Sequence, residues 1–321
     1  MPGSATMLAA LAVKHSEVGL AVYAAMALIL LALGLYLGAR VAAVSAAGNA
    51  PRTGATRATA PRLCSLLGTV LFGAGSAVVL GAWVWRWQQV QHVPLKDLFE
   101  VFLCLGWAVF PLALFCRHVL KAASPTAEAL IALVLLFPAG FSFQEDARPL
   151  MPALQSPLFL PHVAAYVLAY VILYLASVQA GKQLIAGARR ALAEDRAAGR
   201  PPGSPQGPLV ARAIESELSA ERATYRLVRF GFPLLTLGLI LGAVWGKLAW
   251  GDYWNWDPKE MWSLASFLIF VLYLHVRHAL GPRLAWLNST LVLLGTLACV
   301  LTLLWANLSR LFPGLHSYAA G

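Results

Sequence analysis

Acidic residues are scarce in this chain, 14 Asp and Glu against 24 Lys and Arg, and charged residues make up only 12% of its 321 positions. A chain so poor in charge has too little polar surface for a sizeable soluble domain. Cysteine is scarce as well. Cys64, Cys104, Cys116 and Cys299 all fall in or at the edge of apolar runs, and none forms a C-x-x-C pair. That excludes a zinc ribbon and a dithiol redox motif, and leaves four small buried apolar residues. Long polar stretches are missing too, apart from one at residues 182–229. The net charge of +10 is distributed loop by loop instead of gathered in one patch. Such a distribution behaves as a topology signal and excludes nucleic acid as a partner.

Apolar sequence fills the rest: 60% of the residues are hydrophobic. Stretches of about 20 apolar residues recur, each long enough to cross a bilayer. About eight spans are expected, near 18–38, 63–83, 98–116, 126–143, 160–181, 230–248, 263–281 and 288–308. The first begins near Glu17 without a small-residue cleavage site, so it reads as a spanning helix and not a removable signal. Alternate loops carry 17 of the 24 Lys and Arg, including Arg52, Lys121, Arg189, Arg190, Arg222 and Arg283. The positive-inside bias then places both termini outside, together with the loop at 249–263. The expected architecture is all-α: a single polytopic membrane domain over 1–321. The hydrophilic stretch holds a Pro/Gly-rich linker at 198–208 and then Val210, Ile214, Leu218 and Tyr225 at helical spacing. It is expected to form an amphipathic helix on the cytoplasmic surface.

The densest feature is Trp250-Gly251-Asp252-Tyr253-Trp254-Asn255-Trp256-Asp257-Pro258-Lys259-Glu260-Met261-Trp262-Ser263, with four tryptophans in fourteen residues. It joins two apolar runs, so it is a short loop at a membrane face. Interfacial tryptophan belts are common but seldom this dense. A flat aromatic surface with a few charges suits a large planar ligand that carries carboxylates, and haem is one. Asp257 and Glu260 repel such carboxylates, whereas Lys259 suits them; an ion pair that stabilises the loop is an equal reading of these charges.

This stretch resembles the tryptophan-rich WWD signature of the haem-handling proteins of cytochrome c maturation. The form Trp-Gly-x-Tyr-Trp-x-Trp-Asp-Pro-Lys-Glu-x-Trp is similar to the CcsA (ResC) family in particular. Further segments carry the likeness over about 90–320. His92-Val-Pro-Leu-Lys-Asp-Leu-Phe-Glu100 resembles a family segment with Tyr in place of Phe99; Leu154-Gln155-Ser156 leads to His162; Tyr273-Leu274-His275 lies in span seven; and Gly314-Leu315-His316-Ser317-Tyr318 ends the chain. Asp252 and Met261 depart from the family's usual small residue and Thr.

The resemblance implies haem iron ligands at His162 and His316 on the external side and at His275 within the membrane. It implies a haem platform of Trp250, Gly251, Tyr253, Trp254, Trp256, Asp257, Pro258, Lys259, Glu260 and Trp262. By position alone, His275 lies twelve residues into its span, about 18 Å deep, where an imidazole is a functional candidate by default. His92 is either an interfacial histidine or part of an external cavity lining. Glu100, near the outer end of a span, is costly unless paired or wet.

The implied function is delivery of haem b and its covalent attachment to apocytochrome c at a Cys-x-x-Cys-His site, as a haem-lyase subunit. Its partners would be a ResB/CcsB-type membrane protein and a system that keeps the apocytochrome thiols reduced. The location would be a bacterial inner membrane or its thylakoid equivalent. Two alternatives stand beside it: a haem exporter or chaperone of the CcmC or CcmF type, and a haem-containing membrane electron-transfer subunit.

Overall fold

A computed structural model describes residues 17–48, 59–142, 150–198 and 207–304. All regular structure among them is helical. In chain order the helices are α1 (Glu17–Gly48), α2 (Thr59–Val90), α3 (Leu98–His118), α4 (Pro125–Phe141), α5 (Phe159–Ala198), α6 (Gly207–Trp250), α7 (Pro258–Leu280) and α8 (Ala285–Leu303). Short 3₁₀ turns at Pro152–Gln155 and Gly281–Leu284 precede α5 and α8. Among the described residues, seven helices are long and apolar enough to cross a membrane, and α4, with 17 residues, is a shorter apolar one. At 1.5 Å per residue α4 is about 26 Å long, a little under a hydrocarbon core of about 30 Å. The protein is therefore a polytopic helical membrane protein. Helices satisfy their own backbone polar groups, which is why an apolar chain settles into them in lipid.

The chain divides into two compact units, Met1–Pro111 with Ser124–Met151, and Leu112–Ala123 with Pro152–Gly321. In the first, α1 packs along α2 and against α4. The Tyr23 hydroxyl donates to the Gly140 carbonyl (2.7 Å), and Ser76 donates to the Trp107 carbonyl (2.8 Å). At the end of α2, Arg86 and Glu100 form a buried ion pair at 3.1 Å, with side chains 5% and 0% exposed. The other Glu100 oxygen accepts from the Lys96 amide (2.9 Å), and Asp97 caps α3 by accepting from the Glu100 amide (2.9 Å). Burial, with the Glu100 carboxylate beside it, pushes Asp97 up to about 6. So Glu100 meets its cost by pairing with Arg86.

In the second unit, α5 and α6 form a long antiparallel pair, with α8 against α5 and α7 against α8. The structure differs here from expectation. No break separates the amphipathic stretch from span six; both belong to α6, which runs 44 residues, and α5 runs 40. At 1.5 Å per residue these are about 66 and 60 Å long, twice the hydrocarbon thickness. The face that α6 buries is not Val210–Tyr225 but Ala220, Ala223, Thr224, Leu227 and Val228. Small residues let two helices approach closely, and Arg190 of α5 reaches Glu217 of α6 at 3.1 Å. An α-helix propagates cooperatively once begun, and nothing between Arg212 and Phe232 stops it. Pro233 lies inside the same helix.

Candidate functional site

The tryptophan loop is a tight connection between α6 and α7. Gly251 ends α6 with φ +94°, a conformation open to glycine and costly for other residues. Its amide donates to the Lys247 carbonyl (3.2 Å), and the Lys247 ammonium in turn donates to the Gly251 carbonyl. The same ammonium lies 5.6 Å from the Tyr253 ring centre. Asp257 then caps α7: its carboxylate accepts from the Lys259 amide (2.8 Å), with Pro258 in the first turn. Glu260 reaches back to accept from the amides of Asp257 (3.2 Å) and Asn255 (2.7 Å), completing a capping box. The Asp-Pro-Lys-Glu run is thus a helix start that locks the loop's shape.

That lock holds the aromatic residues in place. Trp254 and Trp256 meet edge to face, centroids 6.2 Å apart. Trp256 has φ +56° and is 68% exposed, and Tyr253 is 59% exposed. A bulky residue at positive φ is strained, a condition that clusters at functional sites. Trp254 Nε1 and Asn255 Nδ2 are buried donors with no hydrogen-bond acceptor among the described residues. Replacing Asp257 by Ala is expected to cost about 1 kcal/mol of stability through the lost cap, whereas Asn, an equally good cap, should leave it unchanged. Thermal unfolding in detergent tests this; loss of function in Asp257→Asn with stability intact would instead reveal a chemical role for the acid.

Sequence reading missed the residue that connects the loop to His162. It is Trp245, 2% exposed inside α6. Its ring meets Trp250 at 4.8 Å and stacks on His162 at 5.7 Å with planes 26° apart. Its indole N–H donates to the Ala153 carbonyl (2.9 Å), which pins the 3₁₀ turn before α5. His162 Nδ1 lies 2.8 Å from the Gly238 carbonyl. A carbonyl only accepts, so Nδ1 carries the proton and Nε2 is the lone-pair nitrogen, the tautomer of a metal-binding imidazole. The ring fits because Gly242 faces it: a Cβ there would stand 2.6 Å from Cε1. The available signal was Gly238-x₃-Gly242-x₃-Gly246, the small-residue spacing of closely packed membrane helices.

The other expected ligand among the described residues, His275, lies apart from His162. His275 is exposed on α7 with Leu268 and Leu272, away from the buried Phe270 and Tyr273, and its Nδ1 donates to the Val271 carbonyl (2.8 Å). Seventeen residues separate it from Pro258, about 26 Å along the helix. His92 belongs to the first unit, half-buried, with Nδ1 3.1 Å from the Val93 carbonyl. His316 and both termini lie outside the described residues.

Comparison with known proteins supplies the family. A family model described as cytochrome C assembly protein matches residues 96–316. Proteins named cytochrome c biogenesis protein CcsA are similar over most of the chain. One from Synechococcus sp. (strain RCC307) is 31% identical, the match covering 83% of this chain and 88% of the relative. One from Synechococcus sp. (strain JA-3-3Ab) is 32% identical over 73% and 79%, and one from Guillardia theta 31% over 78% and 83%. The chain belongs to the CcsA family of cytochrome c assembly proteins. Its role lies in cytochrome c maturation, and the matched region contains the tryptophan loop, His162, Trp245 and His275.

Proposed function

We propose that this CcsA-family chain receives haem b within the membrane and presents it at the tryptophan loop for covalent attachment to apocytochrome c. The observation that carries the reading is His162. Its imidazole is oriented by the Gly238 carbonyl, stacked on Trp245 and linked through that ring to Trp250. Histidines that ligate a metal almost always donate their second nitrogen in this way. Tyr253 and Trp256 offer exposed aromatic surface for a porphyrin face. The donors of Trp254 and Asn255 suit acceptor groups such as its carboxylates.

The reaction adds each thiol of a Cys-x-x-Cys-His segment across a haem vinyl group. A carbon–sulfur bond forms at one vinyl carbon and the thiol proton ends on the other, with no net oxidation. The thiols must therefore arrive reduced, which calls for a separate thiol-reducing system. The chain's contribution is to hold one reactant in a fixed pose; orientation of this kind is worth about 7–11 kcal/mol in well-aligned cases. His316 is the second external ligand in this reading. His275, on the exposed face of α7, faces a ResB/CcsB-type partner that completes the inner site. The loop lies on the external side of a bacterial inner membrane or thylakoid equivalent.

The test is the reduced absorption spectrum and haem content of the protein purified with its partner, beside His162→Gly, His316→Gly and His275→Gly. Six-coordinate b-type haem altered by each change is the expected result. Haem indifferent to all three would sink the ligand assignment. Mass spectrometry of a co-expressed apocytochrome c separates ligation from export: covalent haem requires the former.

A further inference from the structure

Two lysines flank the tryptophan loop in sequence, and their surroundings differ. Lys259, in the first turn of α7, is half-buried with the Asp257 carboxylate close by. Lys247, in the last turn of α6, is exposed, and no carboxylate comes within 4 Å of its ammonium among the described residues. Two of the loop's acids are otherwise engaged, since Asp257 and Glu260 accept from backbone amides in the capping box. One Lys247 donor goes to the Gly251 carbonyl, which holds the side chain against the loop. An ammonium has three donors, so two are left for a ligand. The charge lies 5.6 Å from the centre of the Tyr253 ring, itself 59% exposed. Capping the carbonyl end of a helix accounts for one donor; it uses neither the other two nor the open ring beside them.

We propose that Lys247 binds a carboxylate of the porphyrin presented at the loop, and so sets which edge of the ring faces outward. The assignment rests on the haem reading above and deepens it by naming the cation. A planar ligand laid against the open part of the Tyr253 ring brings its edge to the ammonium. A carboxylate on an ammonium makes a charge-assisted hydrogen bond, roughly twice as strong as a neutral one. His162 can hold the iron, but a single axial bond leaves the porphyrin free to rotate about it. A cation on one edge stops that rotation. Haem carries both carboxylates on one edge and its vinyl groups on the other half of the ring. Anchoring the carboxylate edge therefore aims the vinyl groups away from Lys247, toward the incoming thiols, which is the fixed pose that the addition needs.

The probes are haem b and its dimethyl ester, which keeps the iron, the ring and the vinyl groups but has no free carboxylate. Each is titrated into the full chain, purified with any partner subunit it carries and freed of bound haem, in neutral detergent, with the Soret band as readout. Lys247→Gln should weaken haem binding about 10-fold, equivalent to about 1.4 kcal/mol, and leave the affinity for the ester unchanged. Lys247→Arg, which keeps a cation and its donors, should restore most of the affinity for haem. Lys96→Gln removes the same charge from the first unit and should leave both titrations unchanged. Equal weakening of haem and ester by Lys247→Gln would mean that the side chain only shapes the loop, and equal loss in Lys96→Gln would mean bulk charge attraction; either overturns the assignment. Unchanged haem affinity in Lys247→Gln overturns it too, and is the result expected of a lysine that serves only the thiols. His162→Gly keeps this failure apart from that of the haem reading. It should alter the spectra of both ligands; if it alters neither, the haem reading falls and the role of Lys247 falls with it.

Discussion

Gly242→Ala is expected to suppress cytochrome c maturation almost as far as His162→Gly does, by about 10- to 100-fold, the usual cost of disturbing the group that orients a metal-ligating histidine. The added methyl would stand 2.6 Å from His162 Cε1 and 2.9 Å from Nδ1, so the ring must move. Trp245 is stacked against it, and leaving the Gly238 carbonyl gives up the hydrogen bond that sets its tautomer. Helix stability is not the reason for the loss, since Ala favours a helix interior over Gly by about 1 kcal/mol. Overpacking costs about 1–3 kcal/mol, which cancels or outweighs that gain. Gly181→Ala is the control, because a Cβ there meets nothing within 4 Å. Haem staining of c-type cytochromes, beside immunoblots of the chain in membranes, reads both variants. Normal maturation in Gly242→Ala would show that the His162 ring need not sit where the structure holds it.

Glu100→Ala should be the most destabilising single change in the first unit, by about 3–5 kcal/mol, because it takes the carboxylate from the buried Arg86 guanidinium. The loss extends to the backbone, since Glu100 also accepts from the Lys96 amide within the turn that starts α3. Removing both charges is a different experiment. Arg86→Met/Glu100→Leu leaves no stranded ion, and buried pairs exchanged for apolar residues are often neutral in stability. The double variant should therefore unfold at a higher temperature than Glu100→Ala in detergent. If the single variant unfolds with the wild type, the pair contributes little and the turn is held by Asp97 and by Trp83, whose indole donates to the Pro94 carbonyl at 3.0 Å. Chemistry at Glu100 is a separate matter, read from maturation in the double variant.

Much of the architecture was open to inspection in the chain itself. Apolar runs of about 20 residues have one stable form in lipid, so the helices and their order follow from composition and length. The tryptophan loop was legible for the same reason: it is a dense polar and aromatic interruption between two such runs. Its internal roles were less so. Asp257 and Glu260 read equally as members of an ion pair or as functional acids, and the structure makes them partners of backbone amides in a capping box. The Asp-x-x-Glu spacing of such a box is present at Asp257 and Glu260, but spacing alone does not say whether the carboxylates face backbone amides or a ligand.

The amphipathic stretch after the linker shows where local pattern stops deciding. Its spacing of Val210, Ile214, Leu218 and Tyr225 marks one apolar face, but α6 buries the alanine face against α5 instead. Periodicity reports that a helix has faces; which of them is covered depends on the neighbour. His162 makes the same point at the site. Sequence alone determined that this is an all-helical membrane protein of the CcsA family with a tryptophan loop and a histidine near it, because hydrophobic length and an ordered motif are local properties. Only the tertiary structure decided that Trp245 joins the two and that Gly238 and Gly242 seat the imidazole, because those contacts bridge 76 residues of chain and exist only where α5 and α6 touch.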